Sequence, residues 1–167
     1  VDFGGTKIEA AAAEAAGAIG VRLRRPNPGG YEAAVETVAE LVAAVEAEAG
    51  PAASIGVGAP GSISPATGLM RNGNSTWLNG RPFKQDLERR LGRPIRLAND
   101  ANCFALSEAT DGAAAGARVV FGAILGTGCG GGVVVDGRTV EGRHGVGGEW
   151  GHTPLPWQIG RASCRER

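Results

Sequence analysis

Asp100 lies in the run Asn99-Asp100-Ala101-Asn102, with a glycine-rich stretch well before it and another well after it. The first is Asp2-Phe3-Gly4-Gly5-Thr6-Lys7, and the second is Gly126-Thr127-Gly128-Cys129-Gly130-Gly131-Gly132-Val133. Glycine lets a backbone approach a polyphosphate closely and aim N–H groups at its oxygens. A carboxylate between two such stretches offers what phosphoryl transfer to an alcohol requires: cradles for the donor phosphates and a base for the acceptor. Neither stretch is a P-loop, because Gly-x-x-x-x-Gly-Lys-Ser/Thr is absent. On this reading Gly4, Gly5, Thr6 and Lys7 hold phosphate, and Asp2 lies near a Mg²⁺ ion.

Each motif also has a plainer reading. Asp2 to Lys7 could be a tight hairpin and nothing more. Gly126, Gly128 and Gly131 satisfy Gly-x-Gly-x-x-Gly, but a dinucleotide site needs a helix to follow. Here Val133-Val134-Val135 and an Asp136-Gly137 turn follow, which is strand chemistry, so a phosphate-binding hairpin turn fits better. Asp100 could be an ordinary helix N-cap. If Asn99 caps instead, Asp100 is left for the acceptor hydroxyl's proton. Glu149-Trp150-Gly151-His152 pairs a carboxylate with an imidazole, but it is no His-Glu-x-x-His zinc motif. Asn72, Asn74 and Asn79 read as turn formers around a Trp77 plug, or as amide partners for sugar hydroxyls.

The 167 residues balance 17 basic against 17 acidic side chains, which argues against a nucleic-acid surface or a membrane-surface stripe. No apolar run approaches the roughly 18 residues of a membrane helix. Cys103, Cys129 and Cys164 form no disulfide framework, so a cytoplasmic location is expected. The Asn74-Ser75-Thr76 sequon is then a chance match. Val1-Asp2-Phe3 reads as the end of a strand whose beginning is missing. Residues 158–167 are expected to be a non-native tail: they lack apolar periodicity, and one back-translation of Ile159 to Arg167 resembles a sequencing adapter.

The elements that position these motifs follow from periodicity. Residues 6–13 and 18–25 read as strands around a turn at Ala16-Gly17. Val35, Val38, Val42 and Val45 mark one face of a helix from Tyr31 to Ala49, stopped by Gly50-Pro51. Residues 54–58 read as a buried strand and 61–80 as a long polar loop of functional type. Phe83 to Leu91 is a second helix, and residues 95–98 are a strand ending at Asn99-Asp100. An alanine-rich helix then runs to about Ala115. Residues 118–125 form a strand, and 133–140 a hairpin around Asp136-Gly137. This order predicts an α/β domain with a mixed sheet over 1–116, followed by the start of a second similar domain over 117–157.

These residues resemble the ROK family of bacterial sugar kinases and repressors, with the closest likeness to its fructokinase branch. Asp2 to Lys7 looks like the family's first ATP-phosphate motif, and Gly126 to Val133 like the second. Gly58-Ala59-Pro60-Gly61, the run from Asn72 to Gly80, and Leu97 to Asn102 resemble the sugar loops and the catalytic segment. Gly148-Glu149-Trp150-Gly151-His152 looks like the family's Glu-x-Gly-His. The resemblance covers residues 1–157 in order and spacing.

The resemblance implies an actin-like, ribonuclease-H-like fold and an ATP- and Mg²⁺-dependent hexose kinase, with D-fructose as first choice of acceptor. Glucose, mannose or an N-acetylhexosamine is the alternative acceptor, and a sugar-sensing repressor is the alternative from another class. It implies Asp100 as the base. Gly61, Asn74, Asn99, Glu149 and His152 would contact the hexose. His152 would also bind a structural Zn²⁺ beside three cysteines that this chain does not contain. The longer protein is expected to take ATP and a hexose, with no nucleic acid or membrane partner, and to be a candidate homodimer. The 167-residue piece alone is expected to be inactive.

Overall fold

The computed structural model describes residues 1–14, 17–125 and 129–151. The chain packs as two compact units that divide between Ala98 and Asn99. The sequence places this division after 116. The structure moves it because the helix that follows Asn99 packs its small residues onto the strands that come after it.

The first unit begins with β1 (Asp2–Phe3), β2 (Lys7–Ala13) and β3 (Ile19–Pro26), then α1 (Tyr31–Ala49) and β4 (Gly56–Ala59). A hairpin of two two-residue strands, β5 (Ser62–Ile63) and β6 (Met70–Arg71), leads through a 3₁₀ turn at Thr76–Leu78 into α2 (Phe83–Leu91) and β7 (Arg96–Asn99). The sheet runs β3-β2-β1-β4-β7. β1 pairs antiparallel with β2 and parallel with β4, so the sheet is mixed, as the sequence predicts.

The helix boundaries of α1 follow from its apolar stripe. Val35, Val38, Val42 and Val45 are all buried, joined by Ala34, Ala39 and Leu41. Across from them Phe3 meets Phe83 edge-on at 4.9 Å and Trp77 at 6.0 Å. Trp77 is thus the plug that the sequence suggests, and it anchors the polar segment 61–80 to the core.

The second unit contains α3 (Asp100–Thr110) and an antiparallel sheet ordered β10-β9-β8, from β8 (Val119–Leu125), β9 (Cys129–Val135) and β10 (Arg138–Thr139). α3 stops at Thr110 rather than near Ala115, because Glu108 turns its carboxylate to the Ala113 N–H and the chain folds back at Gly112. β9 starts at Cys129, so residues 129–132 are strand rather than loop. Gly122 and Gly132 pair across β8 and β9 beneath Ala105. The opposite face of β8 carries Val119, Phe121 and Leu125, each more than half exposed.

Candidate active site

In the first unit β1 turns back into β2 through Gly4-Gly5-Thr6, closed by the Gly4 N–H donating to the Lys7 carbonyl at 2.9 Å. Asp2, Gly5, Thr6 and Lys7 are exposed at this tip. The first glycine stretch is therefore a tight hairpin, and its exposed end is available to a phosphate. Asn27 fastens it from the side, donating to the Gly4 carbonyl at 2.8 Å.

Beside it lies the segment that the sequence reads as a sugar loop. A Cβ built on Gly5 would sit 3.8 Å from Oγ of Ser75, a buried hydroxyl. Asn74, the neighbouring sugar candidate, is exposed. Gly61 has φ +85°, and a Cβ there would strike the Arg71 carbonyl and come 2.7 Å from the Gly73 nitrogen. Gly73 in turn is gripped by Asn79, whose Oδ1 accepts from its N–H at 2.9 Å and whose Nδ2 donates to its carbonyl at 3.3 Å. Gly61, Asn74 and the Gly4-Gly5 turn are thus drawn together in one unit.

In the second unit Asn99 is the N-cap of α3, its side chain accepting from the Asn102 N–H at 3.0 Å. Asp100 is not the cap. Its Oδ1 accepts from the N–H of Ala101 at 2.8 Å, which holds the carboxylate at the positive end of the helix. Asn102 is buried one position further on. Glu149 comes to the same end of α3: a Cβ on Gly130 would lie 3.7 Å from Ala101 Cβ and 3.8 Å from Glu149 Oε1. Asp100, Asn99 and Glu149 are thereby gathered around one helix terminus.

The second glycine stretch is strand from Cys129 onward. Gly131 and Gly132 are buried strand residues. A Cβ on Gly132 would meet the Ala101 carbonyl at 2.6 Å and Ala105 Cβ at 3.0 Å, and one on Gly131 would meet the Gly148 carbonyl at 2.7 Å. Their missing side chains let α3 pack closely on Gly132 and residues 148–150 on Gly131. Cys129, Gly130 and Val133 are half-buried in the same strand. Gly126, Thr127 and Gly128, the rest of this motif, lie outside the described residues, as do His152 and the tail over 158–167.

Three contacts were not legible as site features: the Asn79 grip on Gly73, the Ser75 hydroxyl beside Gly5, and the Trp150 indole on the Gly130 carbonyl. For the first two the sequence signal was the clustering of Asn and Gly over 72–80. Among the described residues no group of three or more His, Cys, Asp or Glu could hold a metal ion. The donors for the zinc site implied by the resemblance are therefore not assembled in these residues. No helix of the described residues is long and apolar enough to cross a membrane.

Comparison with known proteins gives this geometry a context. The chain is 44% identical over 162 residues to an N-acetyl-D-glucosamine kinase of Vibrio parahaemolyticus, covering 93% of this chain and 52% of that protein. It superposes on a ROK hexokinase from Thermus thermophilus with TM-score 0.80 and 38% identity, over 92% of this chain and 52% of the other. A ROK family glucokinase from Streptomyces griseus, solved with glucose and AMPPNP, matches with TM-score 0.81 and 32% identity, over 92% and 49%. The chain spans about half the length of the curated relatives it matches. The ROK family profile matches residues 1–167, and the chain belongs to the ROK family.

Proposed function

We propose that the protein to which this chain belongs phosphorylates a hexose with ATP, using Asp100 as general base. The observation that carries the reading is the capping of α3 by Asn99, which leaves the neighbouring carboxylate out of the cap. In the reaction the Asp100 carboxylate takes the proton of a sugar hydroxyl while that oxygen bonds to the γ-phosphorus. The bond from the γ-phosphorus to the oxygen bridging it to the β-phosphate breaks, and ADP leaves with those electrons. Glu149 and Asn74 orient the sugar by hydrogen bonds, and the exposed hairpin Gly4-Gly5-Thr6 takes phosphate oxygens. Asp2 is an exposed carboxylate at this hairpin, an oxygen donor suited to a hard cation. Mg²⁺, when bound with the nucleotide, neutralises phosphate charge.

The acceptor is the finer point. The relatives named above are an N-acetyl-D-glucosamine kinase, a hexokinase and a glucokinase, which moves first choice from D-fructose to an aldohexose with N-acetyl-D-glucosamine foremost. The intact Gly4-Gly5-Thr6 hairpin and Asp100 favour a kinase over a sugar-sensing repressor. The test is ADP release by the longer protein with N-acetyl-D-glucosamine, glucose, mannose and fructose. Asp100→Asn is expected to lower kcat by about 10²–10⁴ while hexose binding is kept. Unchanged turnover in that variant, or no ADP release with any of the sugars, would overturn the proposal.

A further inference from the structure

Two Asn-Gly pairs stand in the segment between β6 and α2, Asn72-Gly73 and Asn79-Gly80. An asparagine followed by glycine is prone to lose its side-chain amide, because no Cβ shields the next backbone nitrogen from the side-chain carbonyl carbon. Asn72 and Asn79 are both exposed, so water reaches each of them. Asn72 also has φ +58°, in the left-handed region that asparagine tolerates in tight turns. By sequence and exposure alone, both pairs would convert.

Each conversion needs a backbone nitrogen able to move and a side-chain carbonyl carbon turned toward it. The Gly73 N–H, the nucleophile for Asn72, donates to Asn79 Oδ1 at 2.9 Å, and the Gly73 carbonyl accepts from Asn79 Nδ2 at 3.3 Å. Gly73 is buried as well, and a Cβ there would lie 3.2 Å from the Pro60 carbonyl oxygen. The same two bonds occupy both polar atoms of the Asn79 amide, so its carbon is committed to Gly73 and not to Gly80. The Gly80 N–H, the nucleophile for Asn79, donates to the Met70 carbonyl at 2.7 Å. On the other side of Asn79, its own N–H donates to the Thr76 carbonyl at 3.1 Å, which holds that backbone too.

We infer that Asn72-Gly73 and Asn79-Gly80 are interlocked modification sites: one pair of hydrogen bonds withholds the nucleophile of the first and the electrophile of the second. When the clamp opens, the Gly73 nitrogen bonds to Asn72 Cγ. The bond from Cγ to the side-chain nitrogen breaks, and ammonia leaves with the Gly73 proton. Water then opens the cyclic imide and returns a proton to the Gly73 nitrogen. Attack at Cγ breaks the new bond and leaves aspartate. Attack at the main-chain carbonyl carbon breaks the original peptide bond and leaves isoaspartate, with the chain running through Cγ. Either product sets a carboxylate two residues before Asn74, which on the hexose reading proposed above weakens sugar binding.

The test incubates the longer protein at mildly alkaline pH, folded and in guanidinium chloride, and follows Asn72, Asn74 and Asn79 by site-resolved mass spectrometry. In the folded parent, Asn72 and Asn79 are expected to convert about tenfold or more slowly than in denaturant, because only the opened clamp reacts. Asn79→Ala should speed conversion of Asn72 by about fivefold or more, the factor that two lost hydrogen bonds imply. It should not speed Asn74, which lies in the same segment and reports general loosening. Asn79→Asp keeps an acceptor for the Gly73 N–H and should hold Asn72 nearer to the parent rate. Conversion of Asn72 in the folded parent at the denatured rate, or an unchanged Asn72 rate in Asn79→Ala, overturns the inference. So does equal acceleration of Asn72 and Asn74, or an Asn79→Asp rate that matches Asn79→Ala. The readout is mass and not binding, so its failure is distinct from a failure of the hexose reading.

Discussion

The indole N–H of Trp150 donates to the Gly130 carbonyl oxygen at 2.9 Å, tying residues 148–150 to β9 beside the start of α3. Glu149 is the residue between that anchor and Gly148, whose carbonyl lies against Gly131. The carboxylate is thus located by its neighbours. Trp150→Phe keeps the ring over Gly131 but removes the donor, and should cost about 1 kcal/mol in urea unfolding. In the longer protein it should raise KM for hexose more than it lowers kcat, if Glu149 orients sugar, as proposed, rather than moving a proton. A loss confined to kcat would refute that assignment.

The glycines of β8 and β9 should differ in how they can be rescued. A Cβ on Gly122 would meet Ala105 Cβ at 2.9 Å and Cα at 3.1 Å, so Gly122→Ala should destabilise by about 1–3 kcal/mol. Ala105→Gly, in the double variant, should restore part of that. Gly132→Ala would press on the Ala101 carbonyl, which is backbone, and the same second substitution should help far less. A double-mutant cycle from denaturant midpoints reads both couplings.

That pair also explains where the sequence was ambiguous. Glycine runs are demanded both by phosphate cradles and by close helix–strand packing, and composition alone cannot separate the two. Residues 129–132 therefore read as loop, although four of the seven strand residues of β9 lie there. The stripe Val35-Val38-Val42-Val45 had no such double meaning, and the bounds of α1 were legible from it. The mixed sheet followed from the order of elements, whereas the choice of Asn99 over Asp100 as cap came only with the structure, because either side chain suits a strand-to-helix junction. The Asn79 grip was hidden because an Asn that clamps the backbone six residues earlier has the same local signature as an Asn in a turn.

Gly61→Ala tests that grip. The position needs φ +85° and leaves no space before the Arg71 carbonyl and the Gly73 nitrogen. Strain and collision together should cost about 2 kcal/mol or more. Asn79→Ala, which removes both bonds to Gly73 without a clash, should cost about 1–2 kcal/mol and leave the fold intact by circular dichroism. If Asn74 holds hexose as proposed, both should weaken hexose binding in the longer protein. If Asn79→Ala binds hexose as tightly as the parent, the loop does not depend on the clamp.

Tyr31 and Asp86 set opposite ends of the pH profile. The Tyr31 hydroxyl donates to Asp86 at 2.7 Å, and Arg89 approaches the other carboxylate oxygen at 2.6 Å. The tyrosine bond, and after it Arg89, hold the Asp86 carboxyl below its ordinary range, and Arg24, Arg90 and Arg93 do the same for Glu9, Glu36 and Glu46. A depressed carboxyl stabilises the fold above its unfolded value, near pH 4, and that contribution is lost as pH falls through the folded value. Burial, and then the bond to Asp86, push the Tyr31 phenol above its ordinary range. Its contribution is present below about pH 10 and is lost as pH rises beyond that. Tyr31 is the chain's single tyrosine, so Tyr31→Phe isolates both limbs. The variant should lose about 1 kcal/mol or more at pH 7, show a shallower acid limb, and lack the tyrosine share of the alkaline limb. Urea midpoints across pH for parent and variant measure all three, and parallel profiles would show that the pair is not linked to folding.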